Sequence, residues 1–221
     1  MRHSFTLALL CAALCLVSCG NRNSKKSESS KSEKDNEAVM DSLKISEKLA
    51  AMPEEPVFDI ITTLGTIRVK LYSNTPKHRE NFARLAFEGF YDGILFHRVI
   101  NGFMIQTGDP LSKEPEKQAS WGTGGPGYTV PAEILPENMH LKGALAAARR
   151  SDRANPLRES SGSQFYIVQD ERTCAQLDGA YTVFGQTIEG FEVIDKIASV
   201  ATDARDCPLS PVKIVAVKLV K

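Results

Sequence analysis

Hydrophobic and polar positions divide the chain into three stretches. Phe5 to Val17 is a nearly unbroken apolar run, Gly20 to Asn36 contains no large apolar residue, and from Val57 onward apolar positions recur at the spacings of regular structure. In the last stretch, Phe58–Thr63 and Thr66–Tyr72 alternate apolar and polar residues around Leu64-Gly65, the pattern of a β-hairpin. A helix follows, with Thr75 as N-cap and Pro76 at its first position. Phe82, Leu85 and Ala86 recur at helical spacing before Gly89. Two strand-like runs, Ile94–Ile100 and Phe103–Thr107, flank Asn101-Gly102, a hairpin turn signal because both residues tolerate positive φ. Alternation puts Phe96, Arg98 and Ile100 on one strand face and His97 and Val99 on the other, with Met104 and Gln106 sharing a side across the turn. Further strands are predicted at 143–148, 164–168 and 182–187, and a second helix from Gly190 to Ser199 through Phe191, Ile194 and Ile197. The terminal run Val212–Val220 reads as a central strand. So many short strands with two helices predict a mainly β domain, a closed antiparallel barrel with helical caps.

The first two stretches predict an address and a tether. The run Phe5–Val17 is shorter than the about 20 apolar residues of a spanning helix and has the length and basic flank of a secretory signal. Leu16-Val17-Ser18-Cys19-Gly20 resembles the lipobox of bacterial lipoproteins, which implies cleavage before Cys19 and its lipidation. An ordinary signal peptide is the alternative. Gly20 to Asn36 interleaves Lys and Glu without a core-forming residue, the composition of a solvated, disordered spacer. A short helix is expected within 37–52, and Pro53 and Pro56 mark the domain boundary. The expected organisation is a lipoprotein signal peptide at 1–18, a lipidated N-terminus and flexible tether at 19–56, and a folded domain at 57–221. Such a chain would be held by its lipid on the bacterial cell envelope, at the outer membrane facing the periplasm.

Charge and cysteine usage narrow the chemistry. The 221 residues carry 27 Lys+Arg against 27 Asp+Glu. A neutral balance is not the uncompensated basic footprint from which bulk nucleic-acid binding starts. Cys11, Cys15, Cys19, Cys174 and Cys207 fit neither a zinc module nor a dense disulfide framework. Removal of 1–18 and lipidation of Cys19 would leave Cys174 and Cys207 as the two thiols, with their pairing open. His3, His78, His97 and His140 lack metal-ligand spacing, and His97 reads as a packed strand residue. Gly122–Gly127 lacks the Gly-Lys-Ser/Thr of a phosphate loop and reads as a surface loop.

Four blocks, Phe96–Pro110, Gly143–Arg149, Ser161–Ile167 and Leu177–Gly185, stand in an order that resembles cyclophilin-type peptidyl-prolyl cis/trans isomerases. The resemblance spans 57–221 and implies a closed eight-stranded antiparallel barrel capped by two α-helices, with a substrate groove on its outer face. It further implies Arg98, Phe103 and Gln106 as catalytic residues, the arginine acting on the prolyl bond, Phe103 as the pocket floor and Gln106 near the substrate carbonyl. Met104, Ala148, Arg149, Gln164, Tyr166, Leu177 and Tyr181 are implied as substrate-binding. Ala148 and Arg149 form the edge for the peptide backbone, where many members have Asn at the second position. Tyr166 replaces a frequent Phe, Tyr181 a frequent His, and Gln176 a Trp found in cyclosporin-sensitive members.

The implied chemistry follows from the amide. X–Pro rotation is slow because conjugation opposes it with a barrier of about 18–20 kcal/mol. In the twisted transition state the prolyl nitrogen regains a lone pair, which a guanidinium donor stabilises more than either planar ground state. No covalent bond is made or broken, so no metal or cofactor is implied. The expected partners are proline-containing polypeptides and, through the lipid, a membrane, with the protein a monomer and no nucleic acid bound. A proline-peptide-binding module with vestigial activity is the alternative, against which the retained Arg98, Phe103 and Gln106 weigh.

Overall fold

The computed structural model describes residues 39–220. The expected signal peptide, the lipidated Cys19 and the polar spacer to Asn36 lie outside the described residues. Helix α1 occupies 39–50, where Val39, Met40 and Leu43 are exposed. Leu49 and Met52 pack against the main core.

Strands β1 (Val57–Thr62) and β2 (Gly65–Leu71) form the expected hairpin, in register from Val57↔Lys70 to Thr62↔Gly65. Their alternation sends Phe58, Ile60, Ile67, Val69 and Leu71 inward with no exposed surface, as the two-residue period of a strand requires. Helix α2 (Pro76–Phe87) starts after Thr75, as expected, but the Thr75 side chain makes no cap bond. Glu133 does this instead, accepting from the N–H groups of Lys77 and His78 at 3.0 Å each. A carboxylate there satisfies orphan donors and complements the helix dipole.

The remaining elements are β3 (Arg98–Ile100), β4 (Met104–Thr107), β5 (Thr129–Val130), β6 (Ala144–Ala147), β7 (Ser160–Ser161), β8 (Phe165–Val168), α3 (Glu171–Cys174), β9 (Val183–Glu189), α4 (Phe191–Ala198) and β10 (Ile214–Leu219). Eight strands form one antiparallel sheet in the order β10-β1-β2-β9-β6-β8-β4-β3, and β5 pairs separately with β7. This sheet corrects the expectation of a closed barrel. Its ends, β3 and β10, share no ladder, and an isolated bridge, Leu95↔Lys213, crosses the gap, so the sheet is an open half-barrel. The terminal run is therefore an edge strand rather than a central one. Lys213 and Lys218 along it are of the kind that discourages pairing between molecules.

A second correction concerns Ile94–Ile100. Only 98–100 is strand, because the chain turns through 91–93 and leaves the ladder at 96–97. Phe96 thus joins Val99 in the main core, whereas Ile100 packs on the other face of the sheet. At Asn101-Gly102 only Gly102 has positive φ (77°), and Phe103 N–H closes the turn on the Ile100 carbonyl at 3.1 Å. Positive φ at the third position alone is the requirement of a type II turn.

The core explains why β6 (Ala-Leu-Ala-Ala) and β8 (Phe-Tyr-Ile-Val) lack alternation. Leu145, Ala147, Phe165 and Ile167 face the main core, where Phe82 of α2 meets Phe58, Tyr91, Phe165 and Phe184 with ring centroids 5.2–5.9 Å apart. Ala144, Ala146, Tyr166 and Val168 face outward into a second cluster with Met104, Cys174 and Val183. A strand buried on both faces reads as a continuous apolar run. The second, outer cluster carries the candidate site.

Candidate active site

Strand pairing assembles one transverse row across the outer face. Arg98 lies opposite Gln106, Gln106 opposite Tyr166, Tyr166 opposite Ala146, and Ala146 opposite Val183. The adjacent row contributes Met104 beside Val168. The turn after β3 supplies Phe103, the segment after β6 supplies Ala148 and Arg149, and the stretch between α3 and β9 supplies Leu177 and Tyr181. Arg98, Phe103, Met104, Gln106, Ala148, Arg149, Tyr166, Leu177 and Tyr181 line one pocket with a cavity volume of about 130 Å³. That is room for a ring-sized group rather than a drug-sized ligand.

Of the ten groove residues expected from sequence, only Gln164 does not line this pocket. It is 6% exposed and spends its amide internally. Its Oε1 accepts from Gln106 Nε2 at 3.1 Å, and its Nε2 donates to the carbonyls of Gly122 and Gly124 at 3.0 and 2.8 Å. The glycine-rich loop is thereby tied to the groove floor. The loop's other anchor is the buried Asp109 carboxylate, which accepts from Leu111, Gly122 and Gly124 N–H groups.

Arg98 stands at the rim with its side chain 43% exposed. Nη1 lies 3.5 Å from Gln106 Oε1 and Nε lies 3.7 Å from Asp206. An ion pair that long and that exposed contributes little to stability, so the guanidinium is oriented without being consumed. Asp206 sits at φ 62° and its main-chain carbonyl accepts from Val99 N–H at 2.7 Å, which fastens its loop to β3.

Arg149 differs. Its side chain is only 5% exposed, donating to the Ala180 carbonyl at 2.8 Å, pairing with Asp152 and covering the Tyr181 ring with its guanidinium carbon 4.4 Å from the centroid. What Arg149 offers the groove is therefore its main chain, not its charge.

Sequence reasoning missed the groups beneath the pocket. Tyr166 stacks on His140 with an 8° interplanar angle, and its hydroxyl lies 2.9 Å from His140 Nε2. His140 Nδ1 is 2.6 Å from Asp178 Oδ1, which also accepts the His140 N–H at 2.8 Å. Burial raises the Tyr166 pKa, and nearby Tyr181 and Cys174 add to that. Burial lowers the His140 pKa against the opposing pull of Asp178. Asp178 lies in a block already singled out, but no local signal connects it to a histidine 38 residues earlier.

Cys174 and Cys207 are free, buried thiols, which answers the pairing left open by sequence. Burial pushes the Cys174 thiol up to about 12, with Asp170 and Asp178 contributing. His97 is buried as expected. Burial holds its pKa down at about 4 despite the opposing Asp109 charge and Leu95 main chain. Among the described residues no cluster of three or more His, Cys, Asp or Glu is arranged to hold a metal ion.

Comparison with known proteins adds independent findings. The family model described as cyclophilin type peptidyl-prolyl cis-trans isomerase/CLD matches residues 57–219. Peptidyl-prolyl cis-trans isomerase-like 1 of Aspergillus fumigatus is 36% identical over 171 residues, covering 77% of this chain and 98% of that protein. A peptidyl-prolyl cis-trans isomerase of Synechococcus elongatus is 44% identical over 127 residues, covering 57% and 76%. Among solved structures, a cyclophilin type peptidyl-prolyl cis-trans isomerase of Cryptosporidium parvum superposes with a TM-score of 0.66 at 30% identity, covering 76% of this chain and 98% of that one. The same protein in the presence of the dipeptide Ala-Pro gives 0.65 at 32%, covering 75% and 99%.

Proposed function

The chain belongs to the cyclophilin-type peptidyl-prolyl cis-trans isomerase family (EC 5.2.1.8), and from that membership we propose that Arg98 is the group that catalyses rotation of X–Pro bonds. The observation that carries this reading is a half-exposed guanidinium, held only by 3.5 and 3.7 Å contacts, on the rim of a ring-sized pocket whose walls include Phe103, Met104, Tyr166 and Leu177. Phe103, Met104, Tyr166 and Leu177 receive the proline ring. The main chain at Ala148 and Arg149 takes the flanking peptide, and Gln106 takes the carbonyl before the proline. Arg98 then donates to the prolyl nitrogen as it loses conjugation. Because that lone pair exists only in the twisted state, the hydrogen bond lowers the barrier rather than deepening the ground state. Apolar walls exclude water and strengthen the interaction. Ala-Pro, the dipeptide present with the Cryptosporidium parvum relative, contains one bond of this X–Pro class.

The test compares wild type with Arg98→Ala on an X-Pro peptide, by protease-coupled assay or NMR exchange. The expected loss in kcat/KM is about 10²–10³-fold, the effect of deleting a single transition-state donor. Activity undiminished in Arg98→Ala would reject the site assignment.

The proposed setting is the bacterial cell envelope, where the domain acts as a monomer on exported polypeptides whose folding waits on proline isomerisation. A lipid on Cys19 anchors it to the outer membrane on the periplasmic side. This proposal is supported by the lipobox-like Leu16–Gly20 and the polar stretch after it. Mass spectrometry of the mature N-terminus tests it, and an unmodified Cys19 would end it.

A further inference from the structure

The chain Asp178–His140–Tyr166, buried at His140 and Tyr166 and partly exposed at Asp178, has no place in the chemistry above, yet it ends on the pocket wall. Its proton directions follow from donor inventory. A carboxylate only accepts, so His140 Nδ1 must carry the hydrogen directed at Asp178 Oδ1, 2.6 Å away. In the neutral ring Nε2 is then a lone pair, and at 2.9 Å it accepts from the Tyr166 hydroxyl. The hydroxyl proton is thereby directed to His140 rather than into the groove. The His140 side chain has no exposed surface and Tyr166 is 5% exposed, so no solvent competes for the bond. The Tyr181 ring stands edge-on to both, 6.5 Å from His140 and 6.1 Å from Tyr166, and fixes them from the other side.

We propose that Asp178 and His140 are positioning residues of the proline pocket, holding Tyr166 as a wall whose hydroxyl is withheld from the substrate ring. This rests on the reading of the pocket as the prolyl site. The pocket then presents the substrate with the same apolar face a phenylalanine would, although the residue is tyrosine. The arrangement binds ground and transition states alike, so its loss raises KM more than it lowers kcat. Protonation of His140 would place a donor on Nε2. The Tyr166 hydroxyl would then have to accept that bond and turn its own proton toward the groove, so acid mimics loss of the histidine. The titratable or charged groups around the ring are Asp178, Tyr166 and Tyr181. Cys174 lies beyond Tyr166 and Arg149 beyond Tyr181, and Lys142, two residues along the chain, is paired with Asp195. Burial sets His140 below the ordinary histidine value, so the acid limb falls below pH 6.5.

Long-range ¹H–¹⁵N NMR of the full chain at pH 7 tests the proton assignment without any variant. A neutral His140 protonated at Nδ1 is expected, and an Nε2–H tautomer would overturn the proposal. Kinetically, His140→Leu should raise KM about tenfold with kcat within about twofold. Adding Tyr166→Phe, which removes the stranded hydroxyl, should recover most of that loss. An unchanged KM in His140→Leu, or no recovery in the double variant, rejects the positioning role. Failure of the prolyl-site reading is distinguishable. It would appear as full activity in Arg98→Ala, while the tautomer measurement would still report on His140.

Discussion

The Gln164 amide offers a test in which its two halves do different work. Its oxygen holds Gln106, which in turn orients Arg98, while its nitrogen holds the glycine-rich loop through the Gly122 and Gly124 carbonyls. Gln164→Leu removes all three hydrogen bonds at a residue that is 6% exposed. At about 1 kcal/mol net per bond, the change should cost roughly 3 kcal/mol of stability. For a domain of this size that lowers Tm by roughly 6–12 °C. With Gln106 free to turn, misalignment of Arg98 should reduce kcat/KM by about tenfold, or about 1.4 kcal/mol in the barrier. Gln164→Glu separates the halves, because it keeps an acceptor for Gln106 and loses the donors to the loop. It should melt at least as low as Gln164→Leu at pH 7 yet retain kcat/KM within about threefold. Thermal unfolding followed by circular dichroism and NMR exchange on an X-Pro peptide supply the two readouts. If Gln164→Leu melts within 2 °C of wild type, or if the glutamate variant loses as much activity as the leucine, the division of labour is wrong.

Other outcomes follow from the same contacts. Burial raises the Glu133 carboxyl, but hydrogen bonds from the His78 ring, the His78 N–H and the Lys77 N–H outweigh it and leave the pKa lowered. Its stability contribution is therefore present above the ordinary carboxylate value and lost as pH falls through the depressed one. Glu133→Ala should cost about 2 kcal/mol at pH 7 and much less in acid, as read from urea unfolding at several pH values. His97, held near pKa 4 by burial, binds a proton more readily unfolded than folded between there and its ordinary value of 6.5. Stability should fall as pH drops through that window, and His97→Leu should flatten this part of the pH–stability curve; an unchanged slope would contradict a buried neutral ring. Buried Cys174 and Cys207 should react with a thiol reagent only on unfolding, and recovery of a disulfide between them from native protein would contradict their being free thiols.

Strands and helices with one buried face were legible because their periodicity is a property of consecutive residues. The hairpin of β1 and β2 and both longer helices of the folded domain follow directly. The hairpin of β3 and β4 was legible as a turn at Asn101-Gly102, but its register was not: a two-residue turn would set Arg98 opposite Ile105, whereas Phe103 joins the connection and Arg98 lies opposite Gln106. Features set by non-local contacts were not legible either. Thr75 has the right identity and position for an N-cap, but Glu133 arrives from a distant loop and takes both orphan N–H groups. The apolar run at 212–220 resembles a central strand because helix α2 packs against β10, and coverage by a helix leaves the same composition as pairing with a neighbouring strand.

By itself the sequence determined the strand-rich architecture, the resemblance carried by four ordered blocks, and nine pocket residues that the fold brings together on one outer face. Local periodicity suffices for the architecture, because a strand with one buried face states in its pattern which side must be covered, while the pocket residues are legible only through the resemblance. Only the tertiary structure decided that the sheet stays open between β3 and β10, that Gln164 supports the groove from behind, and that Arg149 contributes main chain while its charge is used elsewhere. It alone joined His140 to Tyr166 and Asp178. The physical reason is common to all of these. A buried polar group must find its hydrogen-bond partner wherever the fold brings one, and nothing in the spacing of residues along the chain says which distant group that will be.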